Sequence, residues 1–265
     1  MIAPFDSVAH HYDTAFTDTP LARALRGIVW ERLAALFPPG ARVLELACGT
    51  GEDARFLAER GVRVLATDQS EVMLAVARQK AAGLPVDFAR LYFSESGFSN
   101  GDLGLRAFRG WDTGAGFDGV FSNFGGLNAL SDFRPLASDL SSLVRPGGHL
   151  LFVIMGRWCA WEILWSLAHL DPRTAFRRWR GGPARANVGG ASMTVYYPAT
   201  AALRRAFAPH FRLERARPLG LFLPPSYLEP LTRRRYFPFR LLADLDRRLP
   251  FPPWGDHTLY EWVRA

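Results

Sequence analysis

The sequence predicts an α/β fold, an open and mostly parallel sheet wound with helices on both faces, and three observations predict it. Apolar stretches of strand length alternate with stretches of helical period through the first half of the chain. Val43 to Leu46 reads as a buried strand that runs into a turn holding Gly49 and Gly51 and then into a helical stretch, Glu52 to Arg60. Asp68 closes the next apolar stretch, where an acidic side chain at a strand tip is placed to hold the two hydroxyls of a ribose. Together these describe a nucleotide-cofactor pocket. Gly49, Gly51 and Ala54 also satisfy the dinucleotide spacing G-x-G-x-x-A. Glu45 argues against that reading. A carboxylate in the strand before the glycines would repel a pyrophosphate and suits a ligand with a cationic amino group.

The elements follow in order. A leader precedes an amphipathic helix, Leu21 to Phe37, which stops at Pro38-Pro39-Gly40. Val62 to Thr67 is the second strand, Ser70 caps a helix from Glu71 to Ala82, and Val86 to Leu91 is the third strand. The Gly- and Ser-rich stretch from Ser94 to Gly116 is a long loop or irregular helix. Phe117 to Ser122 is the fourth strand. Phe133, Leu136, Leu140 and Leu143 mark one helix face, and Pro146-Gly147-Gly148 is expected to end that helix before a strand from His149 to Met155.

Two segments exceed a minimal core. Residues 156–200 carry an apolar helix, Trp158 to Leu170, an arginine cluster at Arg173, Arg177, Arg178 and Arg180, and a short strand, Met193 to Tyr197. After a helix from Ala199 to Ala208 and a strand from Phe211 to Leu223, the Pro-rich residues 224–256 form a second insertion, with arginines at 233–235. His257 to Val263 alternates and is the last strand. The expected organisation is one domain over 1–265. Residues 1–37 are leader helices and 38–155 the cofactor-binding core; 156–200 and 224–256 are lid insertions, and 201–223 with 257–265 complete the core.

Composition narrows the class. With 265 residues and 49% hydrophobic content the chain can bury one large core. Cys48 and Cys159 are too few and too far apart for a disulfide framework or a metal cluster, so no metal site is expected. A charged leader before an apolar run is absent, and so is a bilayer-length apolar stretch; a cytoplasmic protein is the simplest expectation. The net charge of +7 raises the question of nucleic acid, but Lys80 is the only lysine and the arginine clusters sit among prolines and aromatics. A solvated basic face is the expectation for them. Trp158, Trp161 and Trp165 share one helix face near the first cluster; its burial inside the lid is the expectation, with peripheral membrane contact left open as the alternative.

Four motifs in order give the core a family resemblance. Glu45 to Gly51, Asp68-Gln69-Ser70, Phe117 to Asn123, and Leu143-Val144-Arg145-Pro146-Gly147-Gly148 resemble the successive motifs of class I S-adenosylmethionine (AdoMet) dependent methyltransferases. The opening Phe5 to Asp13 is similar to the leader of the small-molecule branch that includes quinone-biosynthesis enzymes. The resemblance covers residues 40–155. It implies a Rossmann-like sheet of seven strands, order 3-2-1-4-5-7-6 with the last strand antiparallel, and helical lid insertions. It also implies AdoMet as cofactor, S-adenosylhomocysteine (AdoHcy) as product, and a small, largely apolar methyl acceptor. A protein of this fold that binds AdoMet without methylating is the alternative.

Carried onto this chain, the resemblance assigns cofactor contacts to Tyr12, Glu45, Ala47, Gly49, Gly51, Asp68, Gln69, Met73, Asn123 and Phe124. Glu45 is expected on the methionine amino group, Asp68 on the ribose hydroxyls, Gln69 and Met73 beside the adenine, and Asn123 and Phe124 near the sulfonium. The family's acidic residue after the third strand is missing from Phe88-Ala89-Arg90-Leu91. Asn123-Phe124-Gly125 lacks both prolines of the box found in base-methylating enzymes, which argues against a nucleic-acid substrate. Methyl transfer requires alignment and exclusion of water, and a base only where the acceptor must lose a proton. The candidate bases are His257, His10 and His11, with Asp256 beside His257 to orient it.

Overall fold

The computed structural model describes residues 5–92, 97–98, 111, 116–180, 182–188, 190–228, 238–248 and 254–265. Most of the predicted loop at 94–116, the arginines at 233–235 and much of the second insertion lie outside the described residues. The strands are β1 Arg42–Leu46, β2 Arg63–Asp68, β3 Val86–Arg90, β4 Phe117–Ser122, β5 Val144–Met155, β6 Ala184–Val188, β7 Ala191–Val195, β8 Phe211–Leu219 and β9 His257–Arg264. Seven of them form one sheet of order β3-β2-β1-β4-β5-β9-β8. The first five pair in parallel, and β9 runs antiparallel to both β5 and β8. With β6 and β7 paired outside the sheet, this is the expected order.

The helices are α1 Pro20–Leu36, α2 Glu52–Ala58, α3 Glu71–Lys80, α4 Arg134–Leu143, α5 Ala160–Ala168, α6 Pro172–Ala175, α7 Thr200–Phe207 and α8 Phe239–Arg248. The side-chain alternation of the strands divides them between two cores. Val43, Val64, Ala66, Phe121, Leu151 and Val153 face α1, α2, α3 and α8 on one side of the sheet. Leu44, Leu46, Leu65, Val120, Leu150, Phe152 and Ile154 face α4 and α7 on the other. There Trp262 on β9 stacks on Phe207 at 4.8 Å and on Tyr260 at 5.2 Å. Removing so large a buried ring costs about 3–5 kcal/mol. Arg32 on α1 crosses to Glu261 on β9 by a fork of two hydrogen bonds, 2.7 and 2.9 Å.

Several local expectations change. The leader winds as a 3-10 turn, Asp6–His11, followed by a π turn, Asp13–Thr17, rather than a regular helix. Pro146-Gly147-Gly148 does not end a helix. α4 stops at Leu143, and the tripeptide is an irregularity inside β5, where pairing with β4 jumps from Val144 to His149. β8 stops at Leu219 because Asp246 of α8 accepts the amides of Leu221 and Phe222, at 3.1 and 2.9 Å, and turns the chain. α8 packs against α1, and no described residue of the second insertion reaches the cavity below.

The first insertion departs furthest from its sequence reading. α5 buries Glu162 and Ser166 and turns Leu164, Leu167 and Leu170 outward. The tryptophans do not form its buried face: Trp158 lies outside the helix, stacked on Trp254 and edge-on to Trp179. The arginine cluster is a solvated face only in part: Arg173, Arg177 and Arg180 are exposed, while Arg178 is buried. Arg177 and Arg178 both grip Glu162, and the buried Arg178 reaches on to Asp256 at 2.7 Å. The expected short strand at 193 is half of a hairpin whose other strand, β6, carries too little alternation to be seen in sequence.

Candidate active site

The loop after β1 is shaped by its backbone. Ala47 and Gly49 both take left-handed conformations, φ 55° each, and the Cys48 amide continues the ladder by donating to Thr67 O. A Cβ on Gly49 would meet nothing within 4 Å, so this glycine opens directly onto a cavity of about 260 Å³. Gly51 has a different duty. A Cβ there would lie 2.8 Å from that of Ala77, so Gly51 lets the loop pack on α3 and does not line the cavity, contrary to its expected contact with the ligand.

Asp68 is held in place by the loop it serves. One carboxylate oxygen accepts the Gly49 amide at 2.9 Å and the other the Ser70 amide at 2.9 Å. Burial raises its pKa and these amides oppose the rise. Ser70 caps α3 as expected, accepting the Met73 amide, and also binds Asp6 of the leader. Asp13 fixes the leader a second time, accepting from Thr50 at 2.7 Å and pairing with Lys80 at 2.6 Å. Phe5 and Tyr12 are thereby pinned over the cavity. Burial raises the Tyr12 phenol, which stays protonated.

The cavity also holds a group that sequence reasoning missed. Asp53, in the first turn of α2, accepts from Arg26 at 2.6 Å, Trp30 at 2.6 Å and Asn123 at 3.0 Å. Arg26 lies over the Phe124 ring at 4.9 Å. Three buried atoms around this hub have no hydrogen-bond partner: Glu45 Oε2, Asn123 Oδ1 and Arg26 Nε. Glu45 lies beneath the lining residues, and burial followed by the Asp53 charge pushes it well above the usual carboxylate range. The only sequence signals for Arg26 and Asp53 were an arginine on an amphipathic helix and an acid in a first turn, both ordinary.

Of the predicted contacts, Tyr12, Ala47, Gly49, Asp68, Gln69, Met73, Asn123 and Phe124 line the cavity. Leu91 stands after β3, where the acid is missing. The candidate bases are not brought to it. His10 and His11 are exposed on the outer side of the leader. His257 meets Asp256 at 3.2 Å but sits behind Phe124, edge-on to that ring at 5.8 Å. Its Nδ1 lacks hydrogen-bond geometry to any described acceptor, Asp256 included. Cys48 lines the cavity as an inert thiol, its pKa driven well up by burial. Among the described residues no cluster of His, Cys, Asp and Glu is placed to hold a metal ion, and no helix is long and apolar enough to cross a membrane.

An open sheet of this order, with a glycine loop after β1 and a buried acid at the tip of β2, defines a Rossmann-like cofactor-binding domain. Residues 43–148 match the family model for a methyltransferase domain, and this region belongs to the class I AdoMet-dependent methyltransferases. The chain is similar to the demethylmenaquinone methyltransferase of Clavibacter sepedonicus, 30% identical over 56% of this chain and 55% of that one. It is similar also to the ubiquinone biosynthesis O-methyltransferase of Cronobacter sakazakii, 30% identical over 59% and 60% of the two chains. It thus spans little more than half the length of the curated relatives it matches. The methyltransferase CcbJ of Streptomyces caelestis shares the fold, with a TM-score of 0.60, 18% identity and coverage of 100% and 98%.

Proposed function

We propose that the protein transfers the methyl group of AdoMet to a small, largely apolar acceptor. The observation that carries this reading is the division of one cavity into two chemistries. Asp68, Asp53, Arg26 and Gly49 make its polar end, and Phe124, Met155, Met193, Val195 and Ala129 its apolar end.

AdoMet fits the polar end through atoms that the protein alone leaves unsatisfied. Asp68 accepts the ribose hydroxyls, while Met73, Leu91 and Gln69 border the base. Asn123 on the cavity wall, with Glu45 beneath that wall, supplies buried acceptors toward the α-ammonium, and Arg26 offers its guanidinium to the α-carboxylate. Bound AdoMet supplies a methyl group on cationic sulfur. The chain's own part is to orient the acceptor against Phe124, Met155 and the β6–β7 hairpin and to exclude water. The leader does so through its ties to Ser70, Thr50 and Lys80. Among the described lining residues no histidine is present, Tyr12 is a donor, and Asp53 is saturated by three donors. Of the lining carboxylates, Asp68 is held by two backbone amides and Glu52 is paired with Arg55 and Lys80, so an acceptor atom that is already nucleophilic fits this lining best.

The names of the two quinone-pathway relatives direct the search for acceptors toward lipid-soluble aromatic compounds. The outward Leu164, Leu167 and Leu170 give α5 the face that peripheral contact with a bilayer would use. The test is incubation with methyl-labelled AdoMet and fractionated cell extract. Label is expected in organic-soluble small molecules. Label confined to nucleic acid or protein, or bound AdoMet with no transfer to any fraction, would contradict the reading.

A further inference from the structure

A second cavity, of about 470 Å³, adjoins the first, and its chemistry differs. Consecutive residues divide between the two. Ala129 and Val195 line the first, and Leu130 and Tyr196 the second. The wall between them is built rather than loose. The buried Asn128 donates its side-chain amide to Met155 O at 2.9 Å and to Tyr196 O at 2.6 Å, and its carbonyl accepts the Tyr196 amide at 2.7 Å.

The charge in this second cavity is unbalanced. Asp132 is gripped by Arg134, whose Nε and Nη2 donate to one oxygen at 2.9 and 2.6 Å, so those two charges cancel. Arg157, just past the end of β5, and Arg205, on α7, also line the cavity. Neither makes an ion pair or hydrogen bond among the described residues. The contrast with Arg26, Arg32, Arg177 and Arg178 is plain, since each of those holds a carboxylate within 3.0 Å.

The remaining lining side chains are uncharged. Tyr196 and Tyr197 border the cavity, and the ring of Tyr197 is held under the Arg178 guanidinium at 4.8 Å. The first turn of α7 contributes Ala199 and Ala202, and that helix begins without a side-chain cap. Its first amides carry partial positive charge that no described side chain caps.

We propose that this cavity binds the phosphate group of a small anionic molecule, with Arg157 and Arg205 as its two cationic contacts. Two guanidinium forks and a bare helix start match the several acceptor oxygens and the charge of a phosphate. The site does not depend on methyl transfer, and its failure would leave the first cavity's reading untouched. A phospholipid headgroup offers the same group as a soluble phosphate compound, so the test distinguishes the two sources.

Arginine modification by phenylglyoxal, read peptide by peptide in the full chain, reports on each guanidinium. Inorganic phosphate should slow modification of Arg157 and Arg205 by about fivefold or more while leaving Arg204, exposed like them but outside the cavity lining, unaffected. In the double variant Arg157→Gln, Arg205→Gln, calorimetric affinity for inorganic phosphate should fall by about tenfold or more, with AdoHcy affinity unchanged. Protection by phosphate alone supports the site and makes its ligand soluble. Protection by both phosphate and phosphatidylglycerol vesicles supports it with a headgroup as a source. Unchanged modification of both arginines in phosphate, or protection by vesicles only, overturns the proposal.

Discussion

Two ionic clusters, each centred on a buried carboxylate, are finished to different degrees. Around Asp53, the Arg26, Trp30 and Asn123 donors meet one carboxylate, yet Glu45 Oε2, Asn123 Oδ1 and Arg26 Nε are left without partners. Around Glu162, both oxygens are taken by Arg177 and Arg178, and Arg178 spends its remaining capacity on Asp256. Burial raises the Asp256 carboxyl, but His257 and Arg178 overcome this and hold it well below the usual range. The closed cluster is a strut tying the first insertion to the start of β9. The open one borders the cavity, and as part of the proposed function it is the receptor for a ligand that would complete those atoms.

Substitutions should separate the two. The largest effect is expected from Arg178→Met, which leaves Asp256 without its buried guanidinium and Glu162 with Arg177 alone, and should cost about 3–5 kcal/mol in denaturant unfolding. AdoHcy affinity of the folded fraction should be unchanged; a parallel loss would make the strut part of the receptor. Asp68→Ala reverses the pattern. It should weaken AdoHcy by about 2–4 kcal/mol in calorimetry through two lost charge-assisted hydrogen bonds.

Glu45→Gln sharpens the comparison through opposite signs. The folded-state pKa of Glu45 lies above its unfolded value, so the folded protein binds the extra proton and stability falls as pH rises from the unfolded pKa through the folded one. Removing that titration should raise the melting temperature of the ligand-free protein at neutral pH and flatten its pH dependence. In the wild type, a cationic ligand should bind more tightly as pH rises through the raised pKa and release a proton, an effect absent from Glu45→Gln. The smallest effect is expected at His257, which is shielded by Phe124. His257→Ala should leave AdoHcy affinity unaltered and turnover within about threefold, whereas a loss of about a hundredfold would restore it as a base.

The contrast also explains what the sequence could reveal. β1, its glycine loop and Asp68 were legible because their signals are local: a strand, a turn that needs small residues, and an acid at the next strand tip. Glu45 stood out as a charge where an apolar residue belongs. Arg26 with Asp53 was not legible, since the pair joins two helices through space and each residue is ordinary on its own helix. α5 misled for the same reason. Its tryptophans suggested the buried face, but Glu162 faces inward because Arg177 and Arg178 return to meet it. The Pro146-Gly147-Gly148 turn was seen, yet only the pairing of β5 with β4 reveals it as an interruption within a strand.

The central claim is that the unsatisfied atoms beside Asp53 await the amino-acid end of the cofactor. Calorimetry of AdoHcy against its analogue lacking only the α-amino group tests it most directly. The wild type should bind AdoHcy tighter by about 2 kcal/mol, the scale of one buried charge-assisted hydrogen bond, and Glu45→Gln should bring the two ligands close together. Equal affinity of both ligands for the wild type would contradict the account.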